Sequence, residues 1–299
     1  GLWVFLAVFF AKVNYAEAAK LFTKEPVKGI NVTHIINSNG PDVECIELGD
    51  VDVRPVLAWN RIGRLERVRS MVKRMRALAG INAGFFSEHR PIGFYMEGGV
   101  AHHFDNSDLP RSLFAIGVDG SPYVVSLKEN VRMDLEITGS SISFRVQGVN
   151  TPIKNDRLVI YTKKWGPATK AEGALEFIVD KNGKVIDINP KANKKGSSIP
   201  EGGYVISVNG SPNSTTRIRE EIKEGAEVKL NINGLPPGLL HAISAGPRLI
   251  NDGEIVVKKH IKLEKIPPDI VAPASRSAIG IKKDGTILFV YVKHTKLSP

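Results

Sequence analysis

The sequence predicts an α+β fold in which a β-rich mixed sheet forms the core of a single main domain with a few helices. Short runs of alternating apolar and polar residues recur along the chain, as in half-buried strands. One long segment has helical periodicity instead. Frequent glycine turns separate the short runs, at Gly98-Gly99, Asp119-Gly120, Asn182-Gly183, Asn209-Gly210, Asp252-Gly253 and Asp284-Gly285.

The first 18 residues are interpreted as a signal peptide. Residues 1–11 form an apolar run that is short for a bilayer span, which takes about 20 residues. Ala16, Glu17 and Ala18 then supply the small-x-small pattern of a cleavage site, so the mature protein is expected to begin near Ala19. The alternative is an uncleaved anchor that associates with the membrane. Residues 19–39 are expected to lead into a domain over residues 40–299, and the location to be secreted or cell-envelope.

The composition limits the classes of function. Cys45 is the sole cysteine, so the chain forms no intrachain disulfide, as is common in bacterial envelope proteins. Its acidic neighbours raise a thiol pKa, which makes it a poor nucleophile. The net charge of +10 does not predict nucleic-acid binding, because the basic clusters at 191–195 and 258–262 lack interleaved aromatic residues. We expect the charge to favour anionic wall polymers or an anionic substrate, and residues 189–200 to form an exposed loop.

The elements follow from local periodicity. Alternation predicts strands at 34–37 and 43–48, separated by a turn. Residues 64–79 place apolar side chains at helical spacing opposite a basic face, and Gly80 is expected to end this helix. The apolar run at 287–292 predicts an interior strand.

The common catalytic signatures are absent. The sequence contains no nucleophile elbow, P-loop, dinucleotide fingerprint or His-Glu-x-x-His, so neither a cofactor nor a metal is predicted. His102 and His103 are adjacent, and neighbouring residues of a strand point to opposite faces. They are interpreted as surface histidines.

Glycine-bounded polar segments are the better candidates for a site. Gly84 follows Asn82 and could permit close backbone approach to a ligand. Arg248 and Arg276 each stand among small residues, where an arginine can bind a phosphate through two hydrogen bonds. Each arginine could equally pair with a buried carboxylate or cap a turn.

The order of these segments resembles the phosphodiester glycosidase domain family over residues 40–292. The matching segments are 81–86 (INAGFF), 91–93 (PIG), 111–117 (RSLFAIG) with Asp119-Gly120, 155–162 (NDRLVIYT) with Trp165-Gly166, 199–204 (IPEGGY), 244–249 (SAGPRL) and 275–280 (SRSAIG). The resemblance implies hydrolysis of a sugar joined at its anomeric carbon to a phosphodiester. It implies substrate binding, to a carbohydrate phosphodiester or an anionic wall polymer, by Asn82, Gly84, Phe85, Phe86, Arg111, Gly246, Arg248 and Arg276. Either phenylalanine could instead belong to the core.

The chain departs from the family after residue 292. Family members continue into a turn, a helix and an Asp-Gly-Gly loop whose aspartate is the candidate general base, whereas this chain reads KHTKLSP over 293–299. No catalytic residue is therefore assigned, and the domain is expected to lack its C-terminal end. The strand at 287–292 should then have an exposed edge. The alternative function is a non-catalytic envelope protein that binds anionic glycans through the same arginines.

Overall fold

The computed structural model describes residues 3–4, 19–37, 41–106, 110–127 and 131–293. The predicted α+β class is confirmed, with mixed sheets and short helices in one domain. Apart from Trp3 and Val4, the predicted signal peptide lies outside the described residues. None of the helices in the described part of the chain has both the length and the apolar character of a membrane span.

The elements are numbered in chain order. The strands are β1 (Trp3–Val4), β2 (Ala19–Val27), β3 (Ile30–Asn37), β4 (Val43–Leu48), β5 (Phe86–Ser87), β6 (Arg90–Pro91), β7 (Phe94–Glu97), β8 (Val100–Asp105), β9 (Arg111–Gly117), β10 (Pro122–Leu127), β11 (Arg132–Ile137), β12 (Ser143–Val146), β13 (Gly148–Val149), β14 (Arg157–Thr162), β15 (Leu175–Val179), β16 (Val185–Asn189), β17 (Tyr204–Asn209), β18 (Val228–Asn233), β19 (Leu239–Ala245), β20 (Ile250–Asn251), β21 (Glu254–Ile255), β22 (Arg276–Ile281) and β23 (Ile287–Val292). The helices are α1 (Val68–Met75), α2 (Pro212–Glu221), α3 (Val257–Leu263) and α4 (Pro268–Val271).

A ten-stranded sheet is the centre of the fold. Its strand order is β10-β9-β19-β7-β8-β13-β14-β17-β15-β16, and β13 and β14 are its parallel pair. A six-stranded sheet has the order β1-β22-β23-β4-β3-β2, so the expected lead-in at 19–39 contributes two of its strands. Smaller sheets are β12-β11-β18, β5-β6 and β20-β21.

The central sheet packs on both faces because its side chains alternate. In β9, Leu113 belongs to a core cluster shared with β11 and α2, whereas Phe114 packs with Ile30 and Phe289 of the six-stranded sheet. Successive side chains of a strand point to opposite faces, so one strand supplies both interfaces. The structure therefore stacks three layers.

The strand β23 is interior, as predicted, but the expected exposed edge is wrong. It pairs along its whole length with β22 on one side and with β4 on the other. The sequence suggested that a segment after residue 292 would pair with this edge of β23, but the strand that pairs with it is β4. This long-range pairing has no local signature in the sequence.

The helix predicted over 64–79 is shorter in the structure, spanning Val68–Met75. Before it, Arg67 is extended and the Glu66 carboxylate accepts a hydrogen bond from Trp59 N at 2.9 Å. After it, Arg76 adopts a left-handed conformation with φ 52°, which ends the helix before Gly80. Gly80 instead packs against the helix, because a Cβ there would lie 2.6 Å from Val72 Cγ2.

The exposed loop predicted for 189–200 is only partly exposed. Ala192 is 3% exposed and Ile199 is 1% exposed. Ser197 N donates to the buried Glu176 carboxylate at 2.8 Å, which fixes the middle of the segment.

Candidate functional site

A buried carboxylate, Glu264, lies just after α3 and joins three segments of the chain. The residue is 3% exposed. Its Oε1 accepts hydrogen bonds from Ser112 Oγ at 2.8 Å and from Arg248 N at 2.9 Å, and its Oε2 accepts one from Ser112 N at 3.1 Å. His260 Nδ1 lies 2.9 Å from Oε1 and donates to it when the carboxylate is ionised. Glu264 therefore holds together the start of β9, the loop after β19 and α3.

The loop after β19 is shaped by this carboxylate. Gly246 has a φ of 145°, and a Cβ at this position would collide with the Glu264 carboxylate. Two residues later, Arg248 Nε donates to Ile250 O at 3.3 Å. Within the part of the chain that the structure describes, the terminal amino groups of Arg248 have no hydrogen-bond partner. Burial lowers the pKa of Arg248, whereas Asp252 and Glu264 raise it.

Glycines allow two further loops to approach the end of β19. Ser244 is 1% exposed, and its Oγ accepts a hydrogen bond from Phe94 N at 2.7 Å. A Cβ at Gly93, which has a φ of 91°, would lie 2.7 Å from Ser244 Cβ. At Gly84, with a φ of 73°, a Cβ would lie 3.0 Å from Ser244 O. The close approach at Gly84 is thus to the main chain of β19.

Two further predicted residues, Phe85 and Arg111, have different surroundings: one packs in an apolar cluster and the other is bound to main-chain carbonyls. Phe85 is 3% exposed and belongs to a core cluster with Ile266 and Ile270. Arg111 Nη1 donates to the carbonyl of Glu264 and, at 3.3 Å, to that of Pro110. The structure thus anchors one amino group of Arg111 to the main chain beside the carboxylate.

Arg276 is held by main-chain carbonyls at the end of α4 and in the segment after it. Its Nη2 donates to Ile270 O at 3.0 Å and to Ala272 O at 2.5 Å, and its Nη1 donates to Ser275 O at 3.1 Å. Burial lowers the pKa of its guanidinium. These contacts correspond to the turn-capping alternative that the sequence left open, and phosphate binding by Arg276 stays a prediction.

An open cleft of about 1180 Å³ lies beside this assembly. It is lined by the loop over 50–58, by α1, and by parts of β9 and β19. Asn82, Gly84, Phe85 and Phe86 line it together with Ser244. Phe86 is 42% exposed. Phe85 lines the cleft and packs with Ile266, two residues after Glu264, so the cleft lies close to the Glu264 assembly.

The structure brings most of the predicted residues into one region. Glu264 contacts Arg111, Gly246 and Arg248. Gly84 packs against Ser244, and Phe85 packs against the segment after α3. Asn82 and Phe86 lie in the cleft without a direct contact to Glu264 among the contacts that the structure describes.

Sequence reasoning missed Glu264 and His260. Their spacing of four residues, which places two side chains on the same face of a helix, was the available signal. Ser112 and Ser244 lie inside segments that match the family, but no role was predicted for either.

Three further residues bear on the sequence predictions, namely His102, His103 and Cys45. The interpretation of His103 as a surface residue is wrong, because β8 is an interior strand and His103 is 2% exposed. Burial lowers the pKa of His103 to about 4, and burial with Lys164 lowers that of His102 to about 4. Burial, and after it Glu47, raises the pKa of the Cys45 thiol, which is the direction that the sequence predicted.

One family model matches the C-terminal part of the chain. Residues 173–298 match the family model described as phosphodiester glycosidase. The relation to this family that the sequence predicted is thereby supported, and a glycosidase-type hydrolase is the class of enzyme that it implies. The matched range contains Arg248, Glu264 and Arg276. The loop at 82–86 and β9 lie outside it.

Two solved structures share the fold. One is a hypothetical protein from Synechocystis, with a TM-score of 0.73 and 22% identity over 92% of this chain and 53% of that chain. The other is a putative exported protein from Burkholderia pseudomallei, with a TM-score of 0.65 and 21% identity over 88% of this chain and 64% of that chain. The chain therefore spans less than two thirds of either structure. No curated protein matches it.

Proposed function

We propose that this protein hydrolyses the glycosidic bond of a sugar-1-phosphodiester on a cell-envelope or extracellular glycan, outside the cytoplasm. The family match over residues 173–298 carries the proposal, because that range includes both the carboxylate that organises the site and Arg248. The net charge of +10 also suits an anionic substrate.

The chemistry of the bond explains why an arginine is suited to this site. A phosphomonoester is already a good leaving group from an anomeric carbon, so the reaction needs less help from a general acid than an ordinary glycosidase reaction with its pair of carboxyl groups. Negative charge on the departing phosphate has to be neutralised instead. Preorganised charged donors do this at little cost, because they are already oriented before the reaction.

Arg248 is the group best prepared for this task. Glu264 fixes its main chain by accepting the hydrogen bond from Arg248 N, and Ile250 O orients the guanidinium through Nε. Its terminal amino groups remain available to two phosphate oxygens. Asn82 and Phe86, in the adjoining cleft, would contact the sugar.

The test is a sugar-release assay with the methyl diesters of glucose-1-phosphate and of N-acetylglucosamine-1-phosphate. Replacing Arg248 by Ala removes charged hydrogen bonds, which contribute about 1.5–3 kcal/mol, so we expect a loss of about 10- to 100-fold in kcat/KM. Affinity for the free neutral sugar should change far less. Arg217→Ala is the matched control, because Arg217 is exposed on α2.

Two results would count against the proposal. An equal loss for the diester and for the neutral sugar would remove Arg248 from phosphate binding, provided that circular dichroism shows a folded variant. Retention of an anionic wall polymer without release of sugar from either diester would favour the alternative of a non-catalytic binding protein.

A further inference from the structure

An exposed tryptophan with an unusual backbone conformation lies beside the cleft. Trp59 has φ 51° and ψ 28°, and the next residue, Asn60, has φ 56°. Both lie in the left-handed region, which is unfavourable for residues with a Cβ and especially for bulky ones such as tryptophan. Such conformations persist only where the surrounding structure enforces them, and they cluster at functional sites.

Four side chains enforce this conformation. Trp59 N donates to Glu66 Oε2 at 2.9 Å, and the Glu66 side chain is only 1% exposed. Arg74 Nη2 donates to the same carboxylate at 2.7 Å. On the other side, Asn60 Oδ1 accepts a hydrogen bond from Lys164, whose Nζ lies 3.5 Å from the Glu97 carboxylate. The turn is therefore clamped between α1 and the loop after β14.

The clamped turn presents the indole to solvent. Trp59 is 55% exposed, and the Arg74 guanidinium carbon lies 5.8 Å from the centroid of its ring, over one face. A large apolar ring that is carried on a clamped turn and is still exposed suits a binding role, because little backbone freedom remains to be lost on contact. An aromatic face carries partial negative charge, so it attracts the weakly positive C–H groups on the apolar face of a pyranose ring.

The position of the turn connects it to the cleft. The residues on either side of the turn, Ala58 and Arg61, line the cleft of about 1180 Å³ that Gly84 lines as well. Lys164 contacts the Asn60 side chain, and Glu97 contacts Lys164. Their side chains are 18% and 22% exposed, so both can exchange hydrogen bonds with sugar hydroxyl groups. Stacking with nearby polar groups is the combination that orients a carbohydrate.

We propose that Trp59 is the stacking platform of a carbohydrate subsite at the rim of the cleft, which binds one pyranose ring of a glycan. The assignment of that glycan to the enzyme's own substrate rests on the proposed function. The binding of a neutral saccharide is independent of the proposed function, because stacking on Trp59 needs neither the phosphate nor turnover.

Saccharide affinity is measured first, by calorimetry with neutral four-unit oligosaccharides of glucose, of mannose and of N-acetylglucosamine. At least one should bind to the full chain. Trp59→Ala should weaken that binding roughly 3- to 10-fold, which is the range measured for aromatic contacts, and Trp59→Tyr should retain most of it. Ile186→Ala is the control, since Ile186 is 52% exposed on β16, away from the cleft.

A second variant removes the concern about folding. Trp59→Gly suits the left-handed backbone, so it should fold at least as well as the parent while it loses the platform. If Trp59→Gly keeps the parent's saccharide affinity, or if no oligosaccharide binds to the parent, the proposal is overturned, and a protein partner becomes the better explanation of the exposed ring.

The two proposals fail in different ways. Trp59-dependent saccharide binding without release of sugar from the diesters would support the subsite and reject the proposed function. Release of sugar from the diesters, with a saccharide affinity that does not depend on Trp59, would support the proposed function and reject the subsite.

Discussion

Acid should destabilise this protein through His103, whose imidazole is buried in the central sheet. Burial lowers its pKa from 6.5 to about 4 in the native state, whereas in the unfolded chain it returns to its ordinary value. Above pH 6.5 both states are neutral and His103 adds no pH dependence. Between those two values the unfolded chain binds a proton that the native state does not. The free energy of unfolding therefore falls as the pH falls through this window.

The size of the effect follows from the two pKa values. One pKa unit corresponds to about 1.4 kcal/mol, so the fall from 6.5 to about 4 corresponds to about 3 kcal/mol once the pH is below both values. Most of this free energy of unfolding should be lost as the pH falls from about 7 to about 4.5. This is a large fraction of the roughly 5–15 kcal/mol by which a folded domain is stable.

Urea unfolding followed by circular dichroism at these two pH values measures the effect. Other groups titrate in the same range, among them His102, so the informative quantity is the difference between the parent and His103→Asn. The parent should lose about 2–3 kcal/mol more than the variant. His34→Asn is the control, because the side chain of His34 is 35% exposed. Equal losses in the parent and in His103→Asn would mean that His103 is not held neutral in the native state.

Two further predictions concern the site. Glu264→Ala leaves Ser112 N, Ser112 Oγ and Arg248 N without their acceptor, so the free energy of unfolding in urea should fall by about 3 kcal/mol or more; a loss within about 1 kcal/mol would contradict the role of Glu264. Gly93→Ala places a Cβ 2.7 Å from Ser244 Cβ, whereas a Cβ at Gly98 meets nothing within 4 Å. Gly93→Ala should therefore cost roughly 1–3 kcal/mol more than Gly98→Ala, and equal melting temperatures would refute the close packing.

The fold class could be predicted because its signals are local. Alternation located β4 over residues 43–48, and the Gly98-Gly99 and Asp284-Gly285 turns join paired strands. The ends of α1 could not be predicted, because Glu66 is withdrawn from the helix by bonds to Arg74 and Trp59. The neighbours of β23 are likewise set by long-range pairing, which no local pattern records.

The candidate site could be predicted only in outline. The motifs located Gly84, Gly246 and Arg248, because glycines and an isolated arginine are visible without a structure. The residue that connects them, Glu264, stands in a lysine-rich segment that reads as a solvated surface. Its burial depends on β9 and the loop after β19 meeting around it, which is a property of the tertiary structure.

The most direct test of the proposed function is to learn which bond the protein cleaves. The reaction is run on the methyl diester of a sugar-1-phosphate in water enriched in the heavy oxygen isotope, and both products are analysed by mass spectrometry. A glycosidase breaks the bond between the anomeric carbon and oxygen, so the label should enter the released sugar and be absent from the methyl phosphate. Label in the phosphate would show attack at phosphorus, and the protein would then be a phosphodiesterase rather than a glycosidase.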